Sequence, residues 1–193
     1  MSVSGSLGAD YFEGIFASDE DPWNLASSEY ERRKFDRTIS ALRGRRYRNA
    51  IEVGCAHGVL TQRLLPLCDR LLAIDISKTA LRLARRRLGD QTGLDLARMA
   101  FPREAPQGRF DLCVLSEVAY YWDRYDLVAA AAWLREHLDK GGQVLLVHYT
   151  GKTDYPMRAD EAVGVLQQTT ETAFRQSCQE RHDCYRLDLW ARQ

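Results

Sequence analysis

The 193-residue sequence predicts an α/β fold, a doubly wound and mostly parallel sheet with a helical segment ahead of it. Three observations carry the prediction. From Tyr47 onward, short apolar runs alternate with stretches of helical periodicity. The first run, Ala50-Ile-Glu-Val53, opens into the turn Gly54-Cys-Ala-His-Gly58 and then a helix. The second, Leu71-Leu-Ala-Ile-Asp75, ends in an acid 17 positions after Gly58. That is near the separation at which such a sheet presents a carboxylate to a ribose.

Taken in order, residues 1–9 are small and polar and are expected to fray. Residues 11–16 suit a short helix, and Asp19-Glu-Asp-Pro-Trp23 an acidic turn closed by Pro22. Ser27 or Ser28 can cap the next helix, with Glu31 completing a capping box. That helix runs to about Leu42, with Phe35, Ile39 and Leu42 on one face. Residues 10–42 thus form a helical cap or lid ahead of a core spanning 45–193, all within a single domain, 1–193. Trp23 and Tyr30 read either as packing residues or as the lining of a ligand-site mouth beneath the cap.

The core begins with a strand over 49–53, a helix over 58–67 and a strand over 70–75. A helix over 77–88 places Ala80, Leu81, Ala84 and Leu88 on one face and Arg82, Arg85 and Arg86 outside; Gly89 and Gly93 end it. A third strand covers 94–99, a surface loop carries Pro102, Pro106 and Gly108, and an apolar strand covers 109–115. Asp123 caps a helix to Leu138, which Lys140-Gly-Gly142 is expected to stop. A fifth strand over 143–148, a loop at 150–156 and a helix over 160–168 follow. Residues 173–179 and 184–191 alternate as a C-terminal antiparallel hairpin at one sheet edge, which brings the sheet to seven strands.

Composition excludes several classes. The formal net charge is zero and the pI about 6.9, so no basic footprint for nucleic acid exists. No apolar run approaches a membrane span, and the N-terminus lacks the basic and apolar regions of a signal peptide. Five scattered cysteines without C-x-x-C indicate neither a disulfide framework nor a zinc site, and no other metal cluster is evident; a reducing, cytoplasmic setting follows.

The spacing Glu52-x-Gly54-x-Ala56-x-Gly58 fits a dinucleotide poorly, and it resembles motif I of class I S-adenosylmethionine-dependent methyltransferases, with Ala56 in place of a central Gly. Asp75, Phe110-Asp-Leu-Cys-Val-Leu-Ser116, Leu138-Asp-Lys-Gly-Gly-Gln-Val-Leu145 and the terminal hairpin follow in that family's order, which implies its Rossmann-like seven-stranded sheet. A narrower resemblance spans nearly the whole chain. Asp21-Pro-Trp23, Ser28-Glu-Tyr-Glu31 with Lys34, Ser116-Glu-Val-Ala-Tyr-Tyr-Trp122 and Thr153-Asp-Tyr-Pro156 are similar to the nodulation protein S family of chitooligosaccharide N-methyltransferases.

The resemblance implies S-adenosylmethionine as cofactor and assigns roles. Glu52 supports the methionine amino end, directly or through the glycine loop, and Gly54 and Gly58 let the loop approach methionine and ribose. Asp75 accepts the ribose hydroxyl hydrogens, unless it is only a helix cap; Ile76 touches the adenine face. Arg98 and Met99 stand where the family presents a residue to adenine, often an Asp that this chain lacks, so backbone contacts serve there. Ser116 faces the methionine moiety, and Trp23, Tyr30 and Arg33 close over the cofactor, Arg33 as a partner for its carboxylate.

Methyl transfer to an amine needs alignment, exclusion of water and somewhere for a proton to go. Glu117, Asp123 and His148 are the candidates near strand ends: His148 has the better pKa, Glu117 the better place in the motif, and a structural role stays open for each. Tyr120, Tyr121 and Trp122 offer flat faces that suit a sugar or aromatic acceptor, or packing. The expected partner is a small-molecule acceptor such as an amino sugar, with neither nucleic acid nor membrane. O-methylation of a small molecule and a non-catalytic, cofactor-binding partner subunit remain alternatives.

Overall fold

In the computed structural model, which describes residues 5–193, the strands are β1 (Ala50–Val53), β2 (Leu71–Asp75), β3 (Leu94–Arg98), β4 (Phe110–Ser116), β5 (Leu138–Tyr149), β6 (Phe174–Arg181) and β7 (Tyr185–Arg192). The α-helices are α1 (Ala9–Ser18), α2 (Glu29–Ala41), α3 (Val59–Leu64), α4 (Lys78–Leu88), α5 (Arg124–His137) and α6 (Ala159–Thr170). The strands form one seven-stranded sheet in the order β3-β2-β1-β4-β5-β7-β6, as a doubly wound α/β fold with a C-terminal antiparallel hairpin requires. The residues group into two compact units, 8–99 and 100–193, the latter joined by 5–7. No helix among the described residues is long and apolar enough to cross a membrane.

In the unit 8–99, β1 is buried along its whole length and pairs in parallel with β2, which pairs in parallel with β3. Ser77 caps α4 by accepting from the Ala80 N–H, and Ala80, Leu81, Leu83, Ala84 and Leu88 form its buried face, with the arginines outside. Phe16 of α1 packs on Ala80 and Leu83, joined by Trp23 and Ala56. Two expectations need correction. The helix after the glycine turn is α only to Leu64 and then tightens into a 3-10 turn over Leu65–Leu67, because Pro66 has no N–H to continue the ladder. On α2, Ser28 does accept from Glu31 N, and the expected face does turn inward, with Phe35 and Leu42 buried and Ile39 half-buried, but the stripe also buries Glu31, Lys34 and Thr38. It holds an ion pair, Lys34 Nζ lying 2.9 Å from the Glu31 carboxylate, which hydrophobic periodicity cannot register.

In the unit 100–193, every residue of β4 is buried. It pairs in parallel with β5; β7 then runs antiparallel to both β5 and β6. The expected stop at Lys140-Gly-Gly142 is not a helix stop. Helix α5 ends at His137, and Leu138 at once enters β5 opposite Phe110. The register then jumps to Leu112 opposite Gln143, so residues 139–142 bulge within the strand, Gly141 supplying φ 73°. The expected fraying of 1–9 fails from residue 5 onward, while 1–4 lie outside the described residues. Ser6 accepts from Asp123 N (2.8 Å) and donates to the Asp126 carboxylate, and Leu7 N donates to the Tyr121 carbonyl (2.9 Å).

Gly93 joins α4 to β3 with φ 82°, and a Cβ there would lie 2.4 Å from the Asp69 carbonyl oxygen. Gly108 also has positive φ (112°), but its Cβ would meet nothing within 4 Å. We predict that Gly108→Ala costs about 1–2 kcal/mol of left-handed strain and Gly93→Ala roughly 3 kcal/mol or more. Denaturant melts of both variants check the ranking.

Candidate cofactor site and candidate acceptor groups

The chain between β1 and α3 turns through three left-handed residues, Gly54 (φ 77°), Ala56 (φ 49°) and Gly58 (φ 84°). Ala56 thus adopts a backbone state that favours glycine. The Ala56 N–H donates to Asp75 Oδ2 (2.9 Å) and the Ser77 N–H to Asp75 Oδ1 (2.8 Å). The carboxylate of Asp75 therefore ties the glycine turn to the end of β2. The Ile76 backbone N–H also acts on this carboxyl, and a carboxylate, with about four lone-pair sites, has acceptor capacity beyond these three groups. Asp75 is 8% exposed; burial pushes its carboxyl up to about 6, against the pull of the backbone N–H groups of Ser77 and Ala56.

Glu52 is buried beneath the turn, and the Thr61 hydroxyl donates to it at 2.6 Å, which braces α3 against β1. Burial drives its carboxyl up to about 7; the Thr61 bond lowers it and the Asp75 charge adds to the rise. Met99 N donates to the Asp75 carbonyl (3.1 Å) and Arg98 Nε to the Ile76 carbonyl (3.1 Å). Asp75, Ile76, Arg98 and Met99 are thus gathered at adjacent strand ends. Trp23 meets Phe16 edge-on (ring centroids 5.5 Å) in the cluster that includes Ala56. Tyr30 is exposed beneath Lys34 Nζ, and the Arg33 side chain, 75% exposed, pairs with Glu29 at 2.9 Å. The sequence reading missed Glu13 of α1, whose carboxylate accepts from the Lys78 and Thr79 N–H groups at the start of α4. No spacing rule links an acid on one helix to the end of another 65 residues on.

In the other unit, Ser116 is the buried last residue of β4 and Glu117 follows it with φ 60°, a left-handed state uncommon for a non-glycine residue. Its half-buried carboxylate explains the strain: Oε2 accepts from the Tyr120 hydroxyl (2.6 Å) and from the Tyr149 N–H (2.7 Å). Tyr120 stacks on Tyr155 (5.2 Å, 17°), and Tyr121 meets the same ring edge-on (4.7 Å). Burial first, then the Glu117 charge, pushes the Tyr120 hydroxyl well above its ordinary range; for Tyr121 the causes are burial and Tyr155. His148 is fully buried, and its Nε2 accepts from the Ala119 N–H at 3.1 Å, which assigns the proton to Nδ1. Asp123 caps α5, accepting from Asp126 N at 2.9 Å. Among the described residues no three His, Cys, Asp or Glu side chains gather as a metal site.

A glycine-containing turn tied to an acid at the end of β2, in a sheet ordered 3-2-1-4-5-7-6 with β7 reversed, defines the class I methyltransferase fold. The chain belongs to the nodulation protein S (NodS) family, whose model matches residues 15–148. It is 34% identical over 103 residues to nodulation protein S of Bradyrhizobium diazoefficiens, covering 53% of this chain and 49% of that protein. The chain thus spans about half the length of the curated relatives it matches. A Pseudomonas syringae crystal structure, assigned provisionally to the methyltransferases, shares 34% identity at a TM-score of 0.74, over 86% of this chain and all of that one. The N-methyltransferase NodS of Bradyrhizobium japonicum WM9, in complex with S-adenosylhomocysteine, superposes at a TM-score of 0.81 with 24% identity, over 95% and 97% of the two chains.

The buried carboxyls set a pH dependence. Burial lifts the Glu52 carboxyl from an ordinary 4.5 to about 7 and the Asp75 carboxyl from 3.8 to about 6. Both are raised, so the folded state holds protons that the unfolded state has released, and stability falls as pH rises through roughly 4–7. We predict that Glu52→Gln, neutral throughout, recovers on the order of 1–3 kcal/mol of that loss. Urea melts at pH 5 and pH 8 on both proteins check it.

Proposed function

We propose that the protein is an S-adenosylmethionine-dependent N-methyltransferase acting on an amine of a small molecule, in the class of amino sugars and oligosaccharides. The observation that carries this reading is the Asp75 carboxylate, held by Ala56 and Ser77 backbone groups with acceptor capacity left over, in a chain of the nodulation protein S family. The donor set suits the cofactor: a carboxylate for ribose hydroxyls, left-handed turn residues for close backbone approach, and the Ile76, Arg98 and Met99 backbone for adenine. Ser116 is assigned to the methionine moiety, and Glu52 acts through the turn and Thr61. Trp23, Tyr30 and Arg33 are assigned to closure over the cofactor, for which Arg33 must exchange its exposed pairing with Glu29 for the cofactor carboxylate. S-adenosylmethionine, when bound, supplies a methyl group already activated on a sulfonium.

The protein's own chemistry is then alignment and the handling of one proton. Glu117 is the stronger candidate: its carboxylate is half-buried and ionisable, and its strained backbone is fixed by Tyr120 and Tyr149. His148 is the weaker candidate, since its Nε2 lone pair already receives the Ala119 N–H. A reducing cytoplasm is the setting we assign, on the five cysteines scattered without a C-x-x-C.

Radiolabel transfer from S-adenosylmethionine to a panel of matched amines and alcohols tests the reading. Amines, amino sugars among them, should be methylated; transfer only to alcohols makes the enzyme an O-methyltransferase, and binding without transfer makes it a partner subunit. On the true acceptor, Glu117→Gln should lower kcat roughly 10- to 100-fold and leave S-adenosylhomocysteine affinity within about twofold. If residues 10–42 close over the cofactor, S-adenosylhomocysteine will slow their amide exchange; identical protection with and without it counts against closure.

A further inference from the structure

The turn residue His57 has no role in the reading above, yet it is among the more deeply buried polar groups, at 4% exposure. Neither ring nitrogen has a hydrogen-bond partner. Such a group is costly in a folded protein unless something offsets it. Asp21 Oδ1 lies 3.3 Å from the His57 Nε2, close enough for attraction but outside hydrogen-bond angles. Asp21 is itself held, its carboxylate accepting from Leu25 N (2.7 Å) and Ala26 N (3.1 Å). The tripeptide Asp21-Pro22-Trp23 therefore meets the glycine turn directly at His57, through Asp21, while Trp23 packs on the same Phe16, Ala80 and Leu83 cluster as Ala56. Arg87 Nε holds a second point, donating to the His57 carbonyl at 2.9 Å.

Ala56 is the residue that most needs such a grip. It is left-handed without being glycine, and its N–H is the bond that aims Asp75. We propose that Asp21 and His57 are positioning residues, a latch by which the segment before α2 holds the 54–58 turn in its cofactor-binding conformation. This rests on the cofactor reading above. They act through Ala56 and Asp75 and need not touch the cofactor. The pair sits within van der Waals range and short of a formed bond, so a small shift of the turn completes it. By linkage, whatever binds the set turn strengthens the latch, and the latch strengthens that binding by the same factor.

The surroundings supply a spectroscopic readout. Burial lowers the His57 pKa, the Asp21 carboxylate raises it, Arg87 lowers it, and Asp19 and Glu20 raise it. Removing the Asp21 charge must therefore move the His57 midpoint further down.

The test uses the full chain and S-adenosylhomocysteine as probe. Calorimetry on Asp21→Asn and His57→Ala should show affinity weakened about 5- to 20-fold in each. The double variant should be no weaker than the worse single, because both remove one interaction. His57→Gln, which keeps a polar group at the same reach, should restore most of the affinity. By NMR, the His57 ring should titrate at lower pH in Asp21→Asn, and S-adenosylhomocysteine should shift its midpoint in the wild type. Should His57→Ala not fold, Asp21→Asn and the NMR titration still decide. Additive losses, unchanged affinity in Asp21→Asn, or an unmoved His57 midpoint overturn the latch. Wild-type protein that does not bind S-adenosylhomocysteine, but whose His57 midpoint responds to Asp21→Asn, instead overturns the cofactor reading and leaves the pairing standing.

Discussion

The hydrogen bond from the Ala56 N–H to the Asp75 carboxylate is the constraint on which the unit 8–99 depends. It is a charge-assisted bond between two loops, made where β1 and β2 end side by side. To make it, Ala56 must adopt a backbone state that costs about 1–2 kcal/mol for an L-residue. Around it the other features fall into place: Glu52 and Thr61 fix α3 below the turn, Ser77 caps α4 beside Asp75, and Met99 takes the Asp75 carbonyl. Burial raises both carboxyls, with the Asp75 charge adding to the rise at Glu52, and this weakens the fold at neutral pH. A fold selected for stability alone would not keep this arrangement, which is the physical reason to read it as a binding site.

The unit 100–193 repeats the pattern on its own terms. Glu117 is another left-handed non-glycine residue at a strand end, and its carboxylate receives a backbone N–H and the Tyr120 hydroxyl where that of Asp75 receives the backbone N–H groups of Ala56 and Ser77. Its aromatic neighbours Tyr120, Tyr121 and Tyr155 are locked against one another and against His148. Rigid rings and a fixed carboxylate suit the proposed methyl transfer, which asks for orientation rather than strong acid–base chemistry.

Much of this was legible in the sequence. Period-two and period-3.6 patterns locate the strands and helices because those elements bury one face or one whole strand. The glycine turn is legible because its backbone geometry favours those residue types, and Asp75 because it ends the second apolar run at the spacing a ribose-binding acid would take. What stayed hidden are interactions with no local period. The buried Glu31–Lys34 pair looks like solvated charge, the bulge at 139–142 looks like a helix stop, and Ser6 and Leu7 look like a loose end until Asp126 and Tyr121 are seen to hold them. Arg33 and Tyr30, read from a motif, stand exposed, since a motif names residues but not the side-chain partners they adopt. Glu13 and the Asp21–His57 pair join segments far apart in sequence, and only folding brings them together.

The central claim is that Asp75 is an ionised anchor for a ribose and not merely a cap. Calorimetric titration of S-adenosylhomocysteine across pH 5–8, on the wild type and on Asp75→Asn, tests it most directly. Because the carboxyl titrates near 6 and ribose hydroxyls donate to the ionised form, wild-type affinity should climb as pH rises through that value and then level off. Asp75→Asn should bind about tenfold or more weakly at neutral pH, with no such climb. Equal affinity and identical pH dependence in a folded Asp75→Asn protein would contradict the account.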